Sequence, residues 1–239
     1  MTQQNPNLAH TVACAALSLL ALAMASLPVA AQTAPSARDI AAYTGLHAAA
    51  QSGNITAITA RSDSPAKTLD TLDGNGRTPL HVATFARQRV AMAKLIEAGA
   101  NTAALDNERY DAVTIAAVAD DEESLHLLLA RGASAKLITS RWDGTALIAA
   151  AHLGHDGVVR QLITAGAPLD HVNNLHWTAL IEAIVLGDGG PRHQRTVSAL
   201  LGAGANTQLT DRDGRTPLEL AQSRGYDALE RLLRNAGAQ

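Results

Sequence analysis

A short motif recurs at a nearly constant interval through most of this 239-residue sequence. The six motif starts are separated by 34, 33, 34, 33 and 38 residues, and they are Thr44, Thr78, Asp111, Thr145, Thr178 and Thr216. A Gly-Ala pair follows each of the last five starts, beginning at Gly99, Gly132, Gly166, Gly204 and Gly237. A period of this length predicts a stack of small units, because each unit is too short to bury a core alone.

The composition suits small, closely packed helices and excludes several kinds of site. Only 3% of the residues are aromatic. The net charge of -3 gives no electrostatic reason to expect nucleic acid or an anionic membrane as a partner. Cys14 is the single cysteine, so a chain processed beyond it would have no disulfide, no cysteine-ligated metal and no cysteine nucleophile.

The N-terminal segment has the features of a secretory signal peptide. Residues 1–37 contain no Lys, Arg, Asp or Glu, and an apolar run from Val12 to Leu27 is ended by Pro28. Small residues follow where signal peptidase requires them, so we predict a signal peptide over 1–31, cleavage after Ala31 and a linker at 32–38. The predicted location is the periplasm. A retained membrane anchor is the alternative, because the run is barely long enough to span a bilayer.

Residue types at fixed places in the motif predict two helices in each unit. Thr78 and Thr216 suit the N-cap of a first helix, and Pro79 and Pro217 suit its first position, where no N–H is needed. The residues two places after the last five starts should point into the core: Leu80, Val113, Leu147, Leu180 and Leu218. A second helix then ends in an apolar pair before the glycine, which should adopt the left-handed conformation.

These motifs resemble those of the ankyrin repeat family, most closely in Asp73–Ala83 and Asp211–Leu218. The resemblance implies an all-α solenoid of about six helix-turn-helix repeats with β-hairpin connections. The ankyrin-repeat domain would span 39–239, with repeats starting near residues 39, 73, 106, 140, 173 and 211. In the last repeat the apolar pair reads Leu233-Arg234, so we expect a solvent-facing charge there, as in a terminal cap.

No catalytic signature accompanies the repeats. The sequence lacks a nucleophile elbow, a phosphate-binding loop ending in Gly-Lys-Ser/Thr and a His-Glu-x-x-His pair. The resemblance implies that His47 and His81 bond the backbone between repeats. His152 and His155 are three residues apart, but no third ligand is visible nearby, so we predict neither a metal nor another cofactor. We interpret the chain as a non-catalytic, monomeric protein that recognises another protein.

The resemblance also indicates where that recognition would occur, because hairpin tips and first helices form the concave recognition surface of ankyrin proteins. The residues just before the motif starts are rich in Tyr, Trp and Arg, the side chains that most often anchor interfaces. With Trp142 at a hairpin tip, they form the predicted partner-binding set: Tyr43, Arg77, Tyr110, Trp142, Trp177 and Arg215. The alternative is that each ring packs on its neighbouring hairpin.

The fifth repeat carries an insertion of about five residues within 187–195, which adds Arg192, His193 and Arg195 to the partner-binding candidates. The alternatives are an ordered loop packed on the next repeat, a small-molecule or metal-dependent enzyme that uses this insertion, and a purely structural spacer. The third repeat has an acidic turn at 120–123, which we interpret as a solvated helix start. These two turns should lie roughly 20 Å apart, so we expect no direct pairing between them.

Overall fold

The computed structural model describes residues 32–62 and 68–238, so the predicted signal peptide at 1–31 lies outside the described residues. Within those ranges the chain forms thirteen α-helices and no strand: α1 Ala37–Ala42, α2 Gly45–Ser52, α3 Ile55–Ser62, α4 Pro79–Phe85, α5 Arg89–Glu97, α6 Ala112–Val118, α7 Glu122–Ala130, α8 Ala146–His152, α9 Asp156–Thr164, α10 Ala179–Val185, α11 Pro191–Gly202, α12 Pro217–Ser223 and α13 Asp227–Asn235. All of them belong to one compact unit that begins at Ala34. In the part of the chain described, none of the helices combines the length and apolar character needed to cross a bilayer.

Twelve of the helices form six consecutive pairs, which we number as repeats 1 to 6. The pairs are α2–α3, α4–α5, α6–α7, α8–α9, α10–α11 and α12–α13. Each first helix packs on the first helix of the next repeat, and each second helix packs on the next second helix. This stack is the all-α repeat solenoid that the sequence predicts.

Local hydrogen bonds set the ends of the helices. In repeats 2 to 6 the side chain of the motif's first residue accepts a hydrogen bond from the backbone N–H three residues later. In repeat 6 the Glu219 carboxylate also accepts from the Thr216 N–H, which completes a capping box. The glycine of each Gly-Ala pair has φ between 77° and 96° and ends the second helix in the left-handed conformation. The predicted caps are confirmed.

The predicted inward positions form the core. The five apolar side chains two places after the motif starts are at most 4% exposed. The first residue of each closing apolar pair, such as Leu162 in repeat 4, is fully buried, and the second is half-buried in repeats 2 to 5. In repeat 6 the second position is Arg234, which is exposed to solvent, as predicted.

The connections between repeats are tight turns. Before repeat 2, the Asp73 N–H donates to the Arg77 carbonyl, and the Asp73 carboxylate accepts from the N–H groups of Asn75 and Arg77. Three other loops repeat this arrangement, at Asp106, Asn173 and Asp211. Because a side chain takes up N–H groups that a strand partner would otherwise bind, the predicted hairpins contain no β-strand in the described ranges. Their single isolated bridge joins Thr139 to Gly144.

Candidate functional site

The hairpin loops expose most of the large apolar side chains that reach solvent. Eight large hydrophobic side chains of the described residues are exposed, and five of these lie in the loops that precede first helices. We call these five the hairpin row: Leu72, Leu105, Ile138, Trp142 and Val172. The remaining three are scattered over a short N-terminal helix, one second helix and one first-helix end. A concentration of apolar surface on one structural feature is typical of an interaction site.

Backbone contacts hold successive hairpins in line. Leu72, Leu105 and Val172 each precede their motif start by six residues, so they occupy equivalent places in three repeats. The Asn107 N–H donates to the Asn75 carbonyl across one hairpin pair at 3.0 Å. The Asn174 N–H donates to the Trp142 carbonyl across another pair at 3.0 Å, and the Ser140 N–H donates to the Arg109 carbonyl at 2.9 Å. The hairpin row is therefore carried on a rigid, stacked support.

The two tryptophans of the predicted binding set have different environments. Trp142 is 39% exposed at the tip of its loop, where its backbone N–H donates to the Ser140 hydroxyl oxygen. Trp177 is half-buried and packs against the hydrophobic core. Trp142 thus has exposed surface for a partner, whereas much of Trp177 is taken up by packing against the core.

Arg77 and Tyr110, two members of the predicted partner-binding set, are buried. Arg77 is only 2% exposed, because its guanidinium lies 3.6 Å from the Asp39 carboxylate and 3.5 Å from that of Asp73. The same guanidinium lies 5.7 Å from the centre of the Phe85 ring. Tyr110 is 8% exposed. Since both side chains are buried, neither offers a surface that a partner could reach.

Tyr43 and Arg215 are engaged in local contacts. The Tyr43 hydroxyl donates to the Asp73 carboxylate at 2.9 Å, and burial together with this bond raises the pKa of Tyr43 to about 12. Tyr43 therefore helps to join the start of repeat 1 to the loop of repeat 2. Arg215 is exposed and pairs with Asp211 at 2.7 Å and with Asp213 at 2.9 Å, within its own loop.

The insertion in the fifth repeat forms a lengthened second helix, and its histidine points inward. Helix α11 has twelve residues, whereas the other second helices have eight or nine. His193 is 9% exposed. Its Nδ1 lies 2.7 Å from the Asp188 carboxylate and its Nε2 lies 2.9 Å from the His152 carbonyl oxygen. Since both ring nitrogens are engaged, this histidine contributes to the junction between repeats rather than to an open surface.

The insertion and the acidic turn of the third repeat meet, so the prediction that they stay apart is wrong. The Arg192 guanidinium donates to the Asp120 carboxylate at 2.6 Å. Between these two ends the Arg192 side chain passes over the turn of repeat 4, where its Nε donates to the Gly154 carbonyl at 3.0 Å. A separation of roughly 20 Å applies to backbone positions two repeats apart. The Arg192 side chain closes this distance because it starts from a lengthened helix and passes over Gly154.

The acidic turn itself is only partly solvated. Asp121 caps helix α7 by accepting from the Ser124 N–H, yet it is 4% exposed and accepts a 2.8 Å hydrogen bond from Arg89. Glu122 and Glu123 are exposed, as predicted for a solvated helix start. The buried carboxylate therefore ties repeat 3 to repeat 2, and the prediction of a solvated turn is wrong for Asp121.

Similarity to known proteins identifies the family of this chain. A family model of ankyrin repeats in three copies matches residues 46–139 and also residues 113–211, which together span more than half of the chain. The chain belongs to the ankyrin repeat family. Ankyrin repeat domains generally act as modules that bind other proteins.

Three ankyrin relatives illustrate the extent of the similarity. The ankyrin repeat protein YahD of Escherichia coli (strain K12) is 36% identical over 171 residues, which are 71% of this chain and 85% of YahD. A crystal structure of an ankyrin repeat domain from Acinetobacter baumannii AYE is 45% identical, with a TM-score of 0.76 over 81% of this chain and 98% of that one. The ankyrin repeat domain of Bcl-3, a member of the IkappaB protein family, is 28% identical, with a TM-score of 0.73 over 83% of this chain and 88% of that one.

The histidines of this ankyrin stack bond to backbone carbonyls between repeats, as the resemblance implies. His47 Nε2 lies 2.9 Å from the Arg77 carbonyl oxygen, and His81 Nε2 lies 3.1 Å from that of Tyr110. His155 Nδ1 lies 2.9 Å from the Ala117 carbonyl oxygen. Among the described residues, no three His, Cys, Asp or Glu side chains are grouped so that they could hold a metal ion.

Four members of the hairpin row are absent from the binding set predicted from the sequence: Leu72, Leu105, Ile138 and Val172. A signal for three of them is present in the repeat itself, because an apolar residue stands six places before the motif start in repeats 2, 3 and 5. Aliphatic residues next to a turn suggest core packing when only the sequence is considered. Their exposure depends on how the loops stack, which the sequence pattern does not specify.

We expect the ion cluster at the start of α9 to make the free energy of unfolding fall as the solution becomes strongly acidic. Asp156 is 8% exposed, and its pKa is lowered to about 2, chiefly by a hydrogen bond from Arg195 at 3.0 Å and also by Arg160. The pKa of Asp156 in the folded protein lies below its ordinary value of 3.8. The stability that Asp156 contributes is therefore present above pH 3.8 and is lost as the pH falls towards 2.

Substituting Asp156→Asn should therefore lower the free energy of unfolding by about 1 kcal/mol at pH 7 and by much less near pH 2. Urea unfolding at several pH values measures the difference from the unmodified protein. Asp143→Asn, in a half-exposed pair with Arg109, is the control and should have a small effect at every pH. A constant difference for Asp156→Asn across the whole pH range would refute the linkage.

Proposed function

We propose that this ankyrin protein is exported to the periplasm and there binds another protein, as a monomer and without catalysing a reaction. The partner would contact the hairpin tips and the adjoining first helices. The proposal specifies a surface and a place of action for the binding role that ankyrin repeat domains generally have.

The exposed hairpin row is the observation that carries the proposal. Its five side chains recur along the stacked loops, and they include Trp142, whose residue type is among the most frequent anchors of protein interfaces. Three of them occupy equivalent places in repeats 2, 3 and 5, and none of the five belongs to the core cluster. Their burial against a partner would supply a hydrophobic driving force, at about 25 cal/mol for each Å² removed from water.

The alternative of an enzyme at the insertion has less support. His193, the candidate acid or base of that segment, has both ring nitrogens within 2.9 Å of acceptors. Arg192 pairs with Asp120 at 2.6 Å, and Arg195 pairs with Asp156 at 3.0 Å. These contacts favour a structural role that holds repeats 3, 4 and 5 together, so we propose the hairpin row and not the insertion as the partner-binding surface.

A matched pair of substitutions tests the proposed surface. Val172 lies in the hairpin row and is 42% exposed, whereas Val90 lies on a second helix and is 63% exposed. We expect a protein from periplasmic extract to be retained by the immobilised unmodified protein and by the Val90→Ser variant, but not by the Val172→Ser variant. Equal retention by both variants, quantified by mass spectrometry, would reject the hairpin row as the binding surface.

Export is a separate prediction with its own measurement. The uncharged leader and the small residues at 29–31 predict cleavage after Ala31, so Edman sequencing of the mature protein should begin at Gln32. Fractionation of cells should place this product in the periplasm. A cytoplasmic product that still carries Met1 would contradict export without affecting the binding surface.

A further inference from the structure

His193 lies where the insertion of repeat 5 meets the end of the first helix of repeat 4. Its Nδ1 faces the Asp188 carboxylate in the same insertion at 2.7 Å. Its Nε2 faces the carbonyl oxygen of His152, the last residue of α8, at 2.9 Å. One imidazole ring therefore connects the inserted segment to the preceding repeat through two hydrogen bonds.

Two glycines make room for this ring. A Cβ atom at Gly187 would lie 2.5 Å from the Cδ2 atom of His193, and a Cβ atom at Gly154 would lie 3.0 Å from its Cε1 atom. Gly154 also has a φ of 68°, a left-handed conformation that other residues rarely adopt. Because the ring is enclosed between two backbone segments, it cannot turn towards other partners without moving one of the repeats.

The chemistry of the two partners determines the proton count of the ring. A backbone carbonyl oxygen only accepts hydrogen bonds, and an ionised carboxylate also only accepts. The pKa of Asp188 is lowered, first by a hydrogen bond from the Gly190 N–H and then by His193, so this carboxylate stays ionised at neutral pH. A neutral imidazole has one N–H and can donate to one of the two acceptors, whereas an imidazolium donates to both.

We propose that His193 is a proton-dependent latch between repeats 4 and 5. The latch is closed when the ring carries protons on both nitrogens and is bonded to both Asp188 and the His152 carbonyl. It is open when the ring is neutral and must give up one of these bonds. The inference concerns the stack itself, so it holds or fails independently of the proposed partner binding.

Several ionisable side chains near the ring, on elements packed around α11, have partners of their own. From α8 and α10, His152 Nδ1 lies 3.3 Å from the Glu182 carboxylate. At the start of α9, Asp156 pairs with Arg195 of α11. At the start of α13, the Tyr226 hydroxyl donates to the Gly187 carbonyl at 2.9 Å. His155, next to Gly154, lies 3.9 Å from the Asp120 carboxylate. The His152–Glu182 pair shares a residue with the latch, so it must be separated from His193 by experiment.

The direction of the pH effect follows from the closed state. An unfolded histidine releases its proton near pH 6.5. Because the closed latch requires protons on both ring nitrogens, acid favours the closed state and its stabilisation is lost as the pH rises. Opening would loosen residues 187–190 beside the end of α8, where Leu153 is exposed.

Two measurements on the purified protein test the latch. Histidine ring ¹⁵N shifts should show protons on both nitrogens of His193 at pH 7, with the exposed His176 as the reference ring. Amide hydrogen exchange, corrected for intrinsic base catalysis, should show protection in residues 188–194 falling about tenfold between pH 5.5 and pH 8.5, because a charge-assisted hydrogen bond is lost.

Three variants assign the effect. His193→Gln should abolish the fall in protection, and Asp188→Asn, at an exposed position, should move the fall to lower pH. His152→Gln should keep the fall, because the acceptor there is a backbone carbonyl. The latch is overturned if His193 carries a single ring proton at pH 7 with unchanged protection up to pH 8.5, or if His152→Gln removes the pH dependence.

Discussion

Replacing Leu162 with alanine is expected to lower the free energy of unfolding by about 2–5 kcal/mol, as observed when large aliphatic side chains are removed from well-packed cores. Leu162 is fully buried on α9, a helix that packs against both neighbouring second helices. Truncation leaves a cavity between repeats, and each repeat depends on its neighbours for stability. Urea unfolding followed by circular dichroism measures the loss.

Arg234→Ala is the matched control for this prediction. Arg234 follows Leu233, which is equivalent to Leu162, and its side chain is 53% exposed and paired with Glu230 at 2.8 Å. Substitutions of exposed residues and of exposed ion pairs typically change stability by well under 1 kcal/mol. Equal losses for Leu162→Ala and Arg234→Ala would show that the stack is not held together by the buried positions of the repeat.

The second large effect is expected for binding. Trp142→Ala should weaken the affinity for a protein partner by about 30-fold or more, since truncating an aromatic anchor typically costs 2 kcal/mol or more. Trp142 is exposed and makes no contribution to the buried core, so the melting temperature should stay unchanged. Isothermal titration calorimetry with a partner identified by affinity capture, together with thermal melting, measures both quantities.

Two comparison variants make this result specific. Trp177→Ala should reduce both affinity and melting temperature, because Trp177 packs against the core behind the hairpin. The double change Arg192→Ala and Arg195→Ala should leave affinity intact and lower stability slightly, since both arginines are held in ion pairs between repeats. Loss of binding in the double variant but not in Trp142→Ala would assign the interface to the insertion.

Most of the fold could be predicted from the sequence because it is encoded locally and repeatedly. Each signal acts within one repeat: an N-cap such as Thr78 or Thr216, a leucine two places later and a glycine after the second helix. Equivalent signals recur about 33 residues later in the next repeat. Even the solvent-facing Arg234 follows from its place in the pattern. Because six repeats carry the same pattern, a departure from it in one repeat does not obscure the period.

The candidate site was harder to predict because it depends on contacts between repeats that differ in each case. Arg77 has the residue type of an interface anchor, but Asp39 and Asp73 enclose its guanidinium. Arg192 and Asp120 are 72 residues apart, and only the path of the side chain over Gly154 brings them together. A periodic pattern specifies which positions stack, but it does not specify how far an individual long side chain extends along the stack.

Hydrogen–deuterium exchange of the protein with and without its captured partner tests the central claim most directly. The account predicts protection in the hairpin loops around Leu72, Leu105, Trp142 and Val172, with the strongest effect around Trp142. Exchange in the second helices, including the segment around Val90, should remain unchanged. Protection confined to the second helices or to residues 187–195, with hairpin loops that exchange as in the free protein, would contradict recognition through the hairpin row.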